Sequence, residues 1–435
     1  MEQKDKNEIA RIRWIRDHLR EIAEDKNDLQ ENFTPLEVCD MMLDKVDLNA
    51  AKSILVLYNI EIIFALRLRE YKGEVTFFTS SLKKCEIAPK FLPQVKIEYI
   101  EKDKDPFQHL SMAFPDKFDV VIANPPYGSG DTNTNLDTLF LEKCISLSKK
   151  EIVFIHPSKL YVRDYSIKKD TGGFSDLLNC IGNTLNSLDI FNANDLFDTS
   201  LDYPIVIAHF RAEKVNPEIL VRNIIYNKED IFKDIKDINL FGSGEIFQNL
   251  KKKIQELNLR SLSSERKKLN RKITSPDFLR NNISKRWIMR LQARSGSTFK
   301  KGDKTNLLFK NDFFTFFRSN RENDGQLIFD TQVIDDDTLF GLLKGSYIWW
   351  EFDTYNECLN FVKYLKLTST RGFLSLIKID RNLDSNMFLV PWMDFTQEWT
   401  DERLYKHFNI TEEEQAFIKE IIPPYYDTGG TETED

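Results

Sequence analysis

The sequence predicts an α/β chain: a doubly wound, mostly parallel sheet followed by an α+β region. Three observations carry this. Apolar runs of strand length alternate with helical stretches as far as residue 210 or so, the pattern of βαβ units. The alternation fades after about Glu213. Beyond it the charge changes sign: Lys251–Arg321 holds 20 Lys/Arg against 5 Asp/Glu, whereas the other 364 residues hold 41 against 64.

Taken in order, Arg11–Glu24 reads as an amphipathic helix. Thr34 is a candidate N-cap, with Pro35 at N1 and Glu37 at N3, for a helix through Leu43. Ser53–Tyr58 (SILVLY) is a buried strand, and Ile60–Arg69 the helix after it. Glu74–Thr79 and Val95–Ile100 are further strands, with a helix over Ser81–Phe91 between them. Phe118–Ala123 (FDVVIA) is a fourth strand and Glu151–His156 a fifth, separated by a helix at Leu136–Ser148. Leu188–Phe191 and Pro204–Phe210 complete the series. In the second half, Lys251–Lys272 is a basic helical stretch and Phe278–Phe329 mixes aromatic, basic and glycine residues. Trp399–Phe408 and Thr411–Ile421 are helical, the latter capped by Thr411 with Glu414 at N3. Pro423-Pro424 stops it, and the acidic Asp427–Asp435 is expected to be disordered.

Composition excludes several classes. The chain has 435 residues, 41% hydrophobic and 30% charged, the balance of a soluble globular protein with room for more than one domain. No run of 18 apolar residues marks a membrane span, and the charged start MEQKDKNEIARIRW lacks the apolar centre of a secretory signal. Five cysteines, Cys39, Cys85, Cys144, Cys180 and Cys358, form no C-x-x-C pair, which suits a reducing cytoplasm. The five histidines are scattered, so no metal site is expected. The basic Lys251–Arg321 segment, interleaved with Phe278, Trp287, Phe299 and Phe309, suits a polyanion.

The sharpest local signal is Asn124-Pro125-Pro126-Tyr127, directly after FDVVIA. Chance would give this tetrapeptide on the order of a few times per thousand chains of this length. In a doubly wound sheet, ligands bind beyond the carboxyl ends of the strands, which is where it lies. An exocyclic amine on a base is a poor nucleophile, its lone pair delocalised into the ring. The Asn124 side-chain oxygen and the Pro125 carbonyl can accept its two N–H groups and stabilise the positive charge that develops on nitrogen. Proline stiffens the loop in advance. Tyr127 offers a flat face to a base swung out of a duplex.

A strand followed by NPPY resembles the adenine-N6 DNA methyltransferases of phage and restriction–modification systems, which use S-adenosylmethionine and no metal. Further segments fit the resemblance: Asn32-Phe33-Thr34-Pro35 ahead of the first strand, Asp105-Pro106-Phe107 after the third, Leu139-Phe140-Leu141-Glu142, Phe154-Ile155-His156-Pro157-Ser158, and weakly Val390-Pro391-Trp392-Met393-Asp394-Phe395 with Trp399-Thr400-Asp401. The order, with F-T-P first and target recognition last, is that of the gamma subgroup. The resemblance implies a Rossmann-like methyltransferase domain over 1–215, a DNA target-recognition domain over 216–389, and a C-terminal helical segment and tail over 390–435. It implies that Asn124, Pro125, Pro126 and Tyr127 are catalytic, that Phe33, Thr34 and Pro35 border the methionine end of the cofactor, and that Asp105 and Phe107 lie near its adenine.

Two departures stand out. The family's glycine-rich loop after the first strand is replaced by Asn59-Ile60-Glu61-Ile62, and its acidic residue closing the second strand by Thr79-Ser80-Ser81. The polar contacts to the cofactor therefore fall to Asn59, Glu61, Ser80 and Asp105, with Glu61 the substitute carboxylate. Double-stranded DNA is the expected partner, alongside components of a restriction or defence system. The candidate phosphate contacts are Lys267, Lys268, Arg271, Lys272, Arg286, Arg290, Arg294, Lys300, Lys301 and Arg318. A DNA-binding relative that has lost turnover is the alternative reading.

Overall fold

The structure, a computed structural model, describes residues 34–101, 104–125, 136–158, 161, 184–192, 204–213, 218–225, 227–235, 238, 244–266, 287–292, 315–320, 326–329, 332–334, 347–376 and 387–422. The expected helix Arg11–Glu24 and the acidic tail lie outside these residues.

Helix α1 (Leu36–Leu43) leads into β1 (Ser53–Leu57), α2 (Ile60–Leu68), β2 (Glu74–Thr79), α3 (Leu82–Phe91), β3 (Lys96–Tyr99), α4 (Pro106–Ala113), β4 (Phe118–Ala123), α5 (Leu136–Leu147) and β5 (Ser148–Pro157). β6 (Leu185–Phe191), β7 (Ile205–Arg211), β8 (Ile219–Asn223) and β9 (Lys228–Phe232) complete a nine-stranded sheet. Its order is β3-β2-β1-β4-β5-β7-β6-β8-β9. The first five strands are mutually parallel, and β7 runs antiparallel between β5 and β6. This is the expected Rossmann-like, doubly wound sheet. It continues past residue 215, because β8 pairs with β6 and β9 with β8.

The strands are apolar along nearly their whole length because both faces are covered. One face packs under α1, α2 and α3, where Ile54, Val56, Ile122 and Val153 meet Val38, Met42, Ile63 and Phe64. The other carries Leu55, Leu57, Val121 and Phe154 against Phe140, Leu141 and Cys144 of α5. A buried ion pair, Lys45 to Asp189 at 2.7 Å, ties the chain beyond α1 to β6.

The later chain is α+β, as the fading alternation predicts. Helices α6 (Gly244–Glu256) and α7 (Leu262–Glu265) precede an antiparallel sheet of β10 (Trp287–Gln292), β11 (Thr315–Asn320), β12 (Gln326–Phe329), β13 (Gln332–Ile334) and β14 (Tyr347–Phe352), in the order β13-β12-β11-β10-β14. Helices α8 (Tyr355–Lys366), α9 (Thr368–Ser375), α10 (Asp401–His407) and α11 (Glu412–Ile421) follow. Thr411 and Glu414 form the expected capping box on α11. Trp349 and Trp350 are core residues of β14. Trp392 stacks on Phe352 with centroids 5.7 Å apart, joining the C-terminal segment to this second sheet.

Candidate active site

The strand order reverses between β1 and β4: β2 and β3 lie on one side, β5 on the other. A crevice opens at such a point, beyond the carboxyl ends of the two strands. Leu57 of β1 and Ala123 of β4 are register partners, so Tyr58-Asn59 and Asn124-Pro125 leave the sheet side by side. The Asn124 backbone N–H donates to Leu57 O at 3.5 Å. The Asn124 side chain, 3% exposed, donates from Nδ2 to Thr34 Oγ1 at 2.6 Å. Pro125 is buried beside it. Pro126 and Tyr127 lie outside the described residues.

Thr34 is not the N-cap of α1. Pro35 holds that position and no side chain caps the helix. The hydroxyl that capping would use instead accepts from Asn124, a contact across 90 residues that no local pattern announces.

The loop after β1 keeps a glycine-type backbone without glycine. Tyr58 sits at φ 64°, the left-handed region that costs a side-chain-bearing residue about 1–2 kcal/mol. Three contacts offset the strain. The ring packs edge-on to Phe78 at 5.3 Å and to Phe140 at 5.4 Å, and the carbonyl accepts from the buried Lys84 ammonium at 3.2 Å. Asn59 then caps α2, its Oδ1 accepting from Ile62 N at 3.3 Å. Its Nδ2 is buried with no acceptor among the described contacts.

Glu61, in the first turn of α2, is 3% exposed. Burial pushes its carboxyl up to about 8, against the smaller opposing effect of the backbone N–H groups of Glu61 and Thr34 nearby. The side chain expected to act as a substitute carboxylate is therefore a buried acid whose burial disfavours its charged form. Sequence alone could not reveal this, since an acidic residue at a helix start reads as a favourable solvent-exposed charge.

Ser80 is buried at the end of β2, and Ser81 caps α3 by accepting from Lys84 N at 3.3 Å. Asp105 caps α4, its Oδ1 accepting from Phe107 N at 2.9 Å. Phe107 packs on Phe140 with centroids 4.7 Å apart. Tyr58, Lys84 and Phe140 are thus residues of this edge that the sequence reading did not place in the site. His156 is fully buried, its Nε2 2.8 Å from Tyr161 Oη, in keeping with a packing role. A cavity of about 430 Å³ between α1 and the ends of β6 and β8, lined by Lys45, Asp189 and Arg222 among others, does not include Asn124.

Of the candidate phosphate contacts, Arg290 lies on β10, paired with Thr315 and Trp349, and Arg318 on β11, paired with Trp287. Lys267, Lys268, Arg271, Lys272, Arg286, Arg294, Lys300 and Lys301 lie outside the described residues.

Residues 52–178 match the family described as Eco57I restriction-modification methylase. The matched methylase segment is under a third of the chain and runs from the start of β1 past β5, so it contains both strand ends of the crevice. No curated protein matches the chain. Among solved structures, a chain from a type I R-M system is 14% identical, with 45% of each chain covered and a TM-score of 0.34. TrmN from Thermus thermophilus is 15% identical over 40% of this chain and 48% of its own, at 0.29. A putative RNA methyltransferase, PH1948 from Pyrococcus horikoshii, is 16% identical over 42% and 88%, at 0.30. This chain spans about half the length of the first two.

Proposed function

We propose that the protein is a restriction–modification DNA methyltransferase that methylates the N6 amine of an adenine swung out of a duplex. The observation that carries this is the place of Asn124-Pro125: directly after β4, buried at the switch point beside the end of β1, within the residues that match the restriction-modification methylase family. Asn124 Oδ1 and the Pro125 carbonyl would accept the two N6–H groups and hold the nitrogen lone pair toward the incoming methyl. Both acceptors are placed before the base arrives, one on a buried side chain and one on a proline, so little reorganisation accompanies charge development.

S-adenosylmethionine is the methyl source this family implies, and the side chains at the edge suit it in kind. The buried Asn59 amide is a donor in want of an acceptor, as a ligand carboxylate or hydroxyl would be. Asn59, Ser80 and Asp105 would take its polar groups, Phe107 would border its adenine, and Thr34-Pro35, with Phe33, its methionine end. When bound, the cofactor supplies an electrophilic methyl group. The absence of glycine leaves these contacts to side chains, because a Cβ keeps the backbone at a distance that glycine does not impose.

Double-stranded DNA is the substrate class, held through the basic Lys251–Arg321 segment. The test is transfer of a labelled methyl from S-adenosylmethionine to plasmid DNA, with the product nucleoside identified by chromatography. N6-methyladenine from the wild type and none from Asn124→Ala supports the reading. Unlabelled DNA, with tight DNA binding retained, supports the DNA-binding relative without turnover.

A further inference from the structure

After α9 the chain crosses the second sheet and returns to the first. At the start of this segment, Leu262 N donates to Val390 O at 2.8 Å and Trp392 N to Arg260 O at 2.7 Å. Tyr364 Oη of α8 donates to Pro391 O at 2.8 Å, and Trp392 stacks on Phe352 of β14. Further on, Lys253 Nζ of α6 donates to Asn409 O at 2.8 Å and to Glu414 Oε2 at 2.6 Å. Lys228 of β9 meets Glu420 of α11 at 2.9 Å. Helix α6 packs on β9, and α11 packs on both α6 and α9. From this course we infer that residues 390–422 are a rigid strap, which couples the second sheet to the crevice sheet so that a duplex held by one is presented at a fixed distance to the other. The inference rests on the reading of the basic segment, which contains β10 and β11, as the DNA-binding region.

Lys253 gathers two helix ends at once. Asn409 follows α10 in the left-handed region, at φ 51°, the conformation in which many helices end. Its carbonyl accepts from the Lys253 ammonium. Glu414 Oε2 also accepts from Thr411 N at 2.7 Å in the capping box of α11. One ammonium on α6 therefore holds the end of α10 and the start of α11 together. Lys253 lies within the segment whose charge suits a polyanion, yet its ammonium is engaged inside the protein.

On its other side α11 meets α9 at Gly372, where a Cβ would stand 2.8 Å from Ile418 Cγ2. Ile418 is buried and β-branched, so it has little freedom to yield. The apolar core is continuous across the strap. One buried cluster contains Leu55 and Phe154 of the first sheet, Phe232 of β9, Phe417 and Ile418 of α11, and Trp350 and Phe352 of β14. Domains that move apart meet at boundaries which few contacts cross. A shared core with a polar tie at each end of the strap is the opposite arrangement.

The test loosens the strap of the full chain from either side. Lys253→Met removes the ammonium and keeps the stem, Lys253→Arg keeps a cation, and Gly372→Ala wedges α11 from α9. Five of the six tryptophans, Trp287, Trp349, Trp350, Trp392 and Trp399, lie in the second half. Tryptophan fluorescence therefore follows the second sheet and the strap, while far-UV circular dichroism follows the whole chain. In the wild type and Lys253→Arg the two urea transitions should coincide. In Lys253→Met and Gly372→Ala they should separate, with the fluorescence midpoint at lower urea. In methyl transfer these two variants should lower kcat by about tenfold to a hundredfold, as misplaced reacting groups do, with duplex affinity and its salt slope at wild-type values. Lys253→Arg should restore most of kcat. The inference is overturned if kcat stays at the wild-type value in both variants, or if the two transitions of the wild type are already separate. It is also overturned if the salt slope of Lys253→Met is shallower by about 0.9, which would put Lys253 on a phosphate. Should Lys253→Met not fold, Gly372→Ala decides by the same readings. A wild type that transfers no methyl group defeats the proposed function, while the unfolding transitions still decide whether the segment couples the two sheets.

Discussion

The ends of β1 and β4 lie side by side in register, yet they reach the crevice by opposite routes. The β4 end states its chemistry in four consecutive residues, Asn124-Pro125-Pro126-Tyr127. The β1 end lacks the glycines that the resemblance leads one to expect, and its conformation rests on contacts made from elsewhere. Tyr58 holds a left-handed backbone because Phe78, Phe140 and Lys84 support it. Glu61 is drawn out of water by the packing around it, and burial raises its carboxyl pKa. A loop can thus keep the conformation that glycine makes easy, provided that buried contacts offset the strain. Such a loop has traded backbone access for rigidity.

The comparison can be broken at either end. The largest effect is expected at β4: Asn124→Ala should slow methyl transfer by about 100- to 1000-fold, by analogy with loss of one preorganised partner of a developing charge, read as kcat under saturating cofactor. A variant as fast as the wild type would remove the chemistry from this strand end.

At β1, Glu61 gives a pH-dependent signature. Its folded pKa of about 8 lies above its ordinary value of 4.5. Between those values the unfolded chain ionises while the folded chain keeps its proton, so wild-type stability falls as pH rises through this window and levels off above it. Glu61→Gln removes the penalty. Its advantage over the wild type should be absent near pH 4 and grow by up to about 1.4 kcal/mol per pH unit between pH 5 and 8, checked by urea unfolding at several pH values. An advantage independent of pH would mean that Glu61 is ionised in the fold.

Tyr58→Gly pits two effects against each other. Glycine relieves about 1 kcal/mol of left-handed strain but removes a buried ring worth about 3–5 kcal/mol. A net loss of about 2–4 kcal/mol is expected in the same unfolding assay. A more stable variant would show that the ring is incidental and that β1 tolerates the family's own solution.

The smallest effect is expected in the basic segment. Lys267→Ala should weaken duplex binding only a few-fold and make the slope of log affinity against log salt shallower by about 0.9. An unchanged slope would take Lys267 off the phosphates.

Much of this architecture was legible in the chain. Phe118–Ala123 and Glu74–Thr79 have the bounds the sequence predicts, because strands covered on both faces read as near-continuous apolar runs. The capping box at Thr411 and Glu414 was also readable, since both partners lie within one turn. Thr34 was misread for the complementary reason: its hydroxyl serves a residue far along the chain. Lys84 gave no signal, because a lysine in a charged run reads as surface, whereas here its ammonium is drawn in by a carbonyl that the Tyr58 turn exposes. The division at residue 215 followed the fading of βα alternation. That alternation records helices between parallel strands and is blind to β8 and β9, which join the sheet edge without one.

By itself, then, the sequence determined the parallel sheet and the NPPY loop at its carboxyl edge, because burial periodicity and a four-residue motif are local properties. Only the tertiary structure decided what the glycine-free loop became. Whether Tyr58 is strained or supported and whether Glu61 is exposed or buried depend on residues such as Phe140 and Lys84, brought there by packing. A supported turn and a pKa are set by neighbours in space, and sequence spacing does not record them.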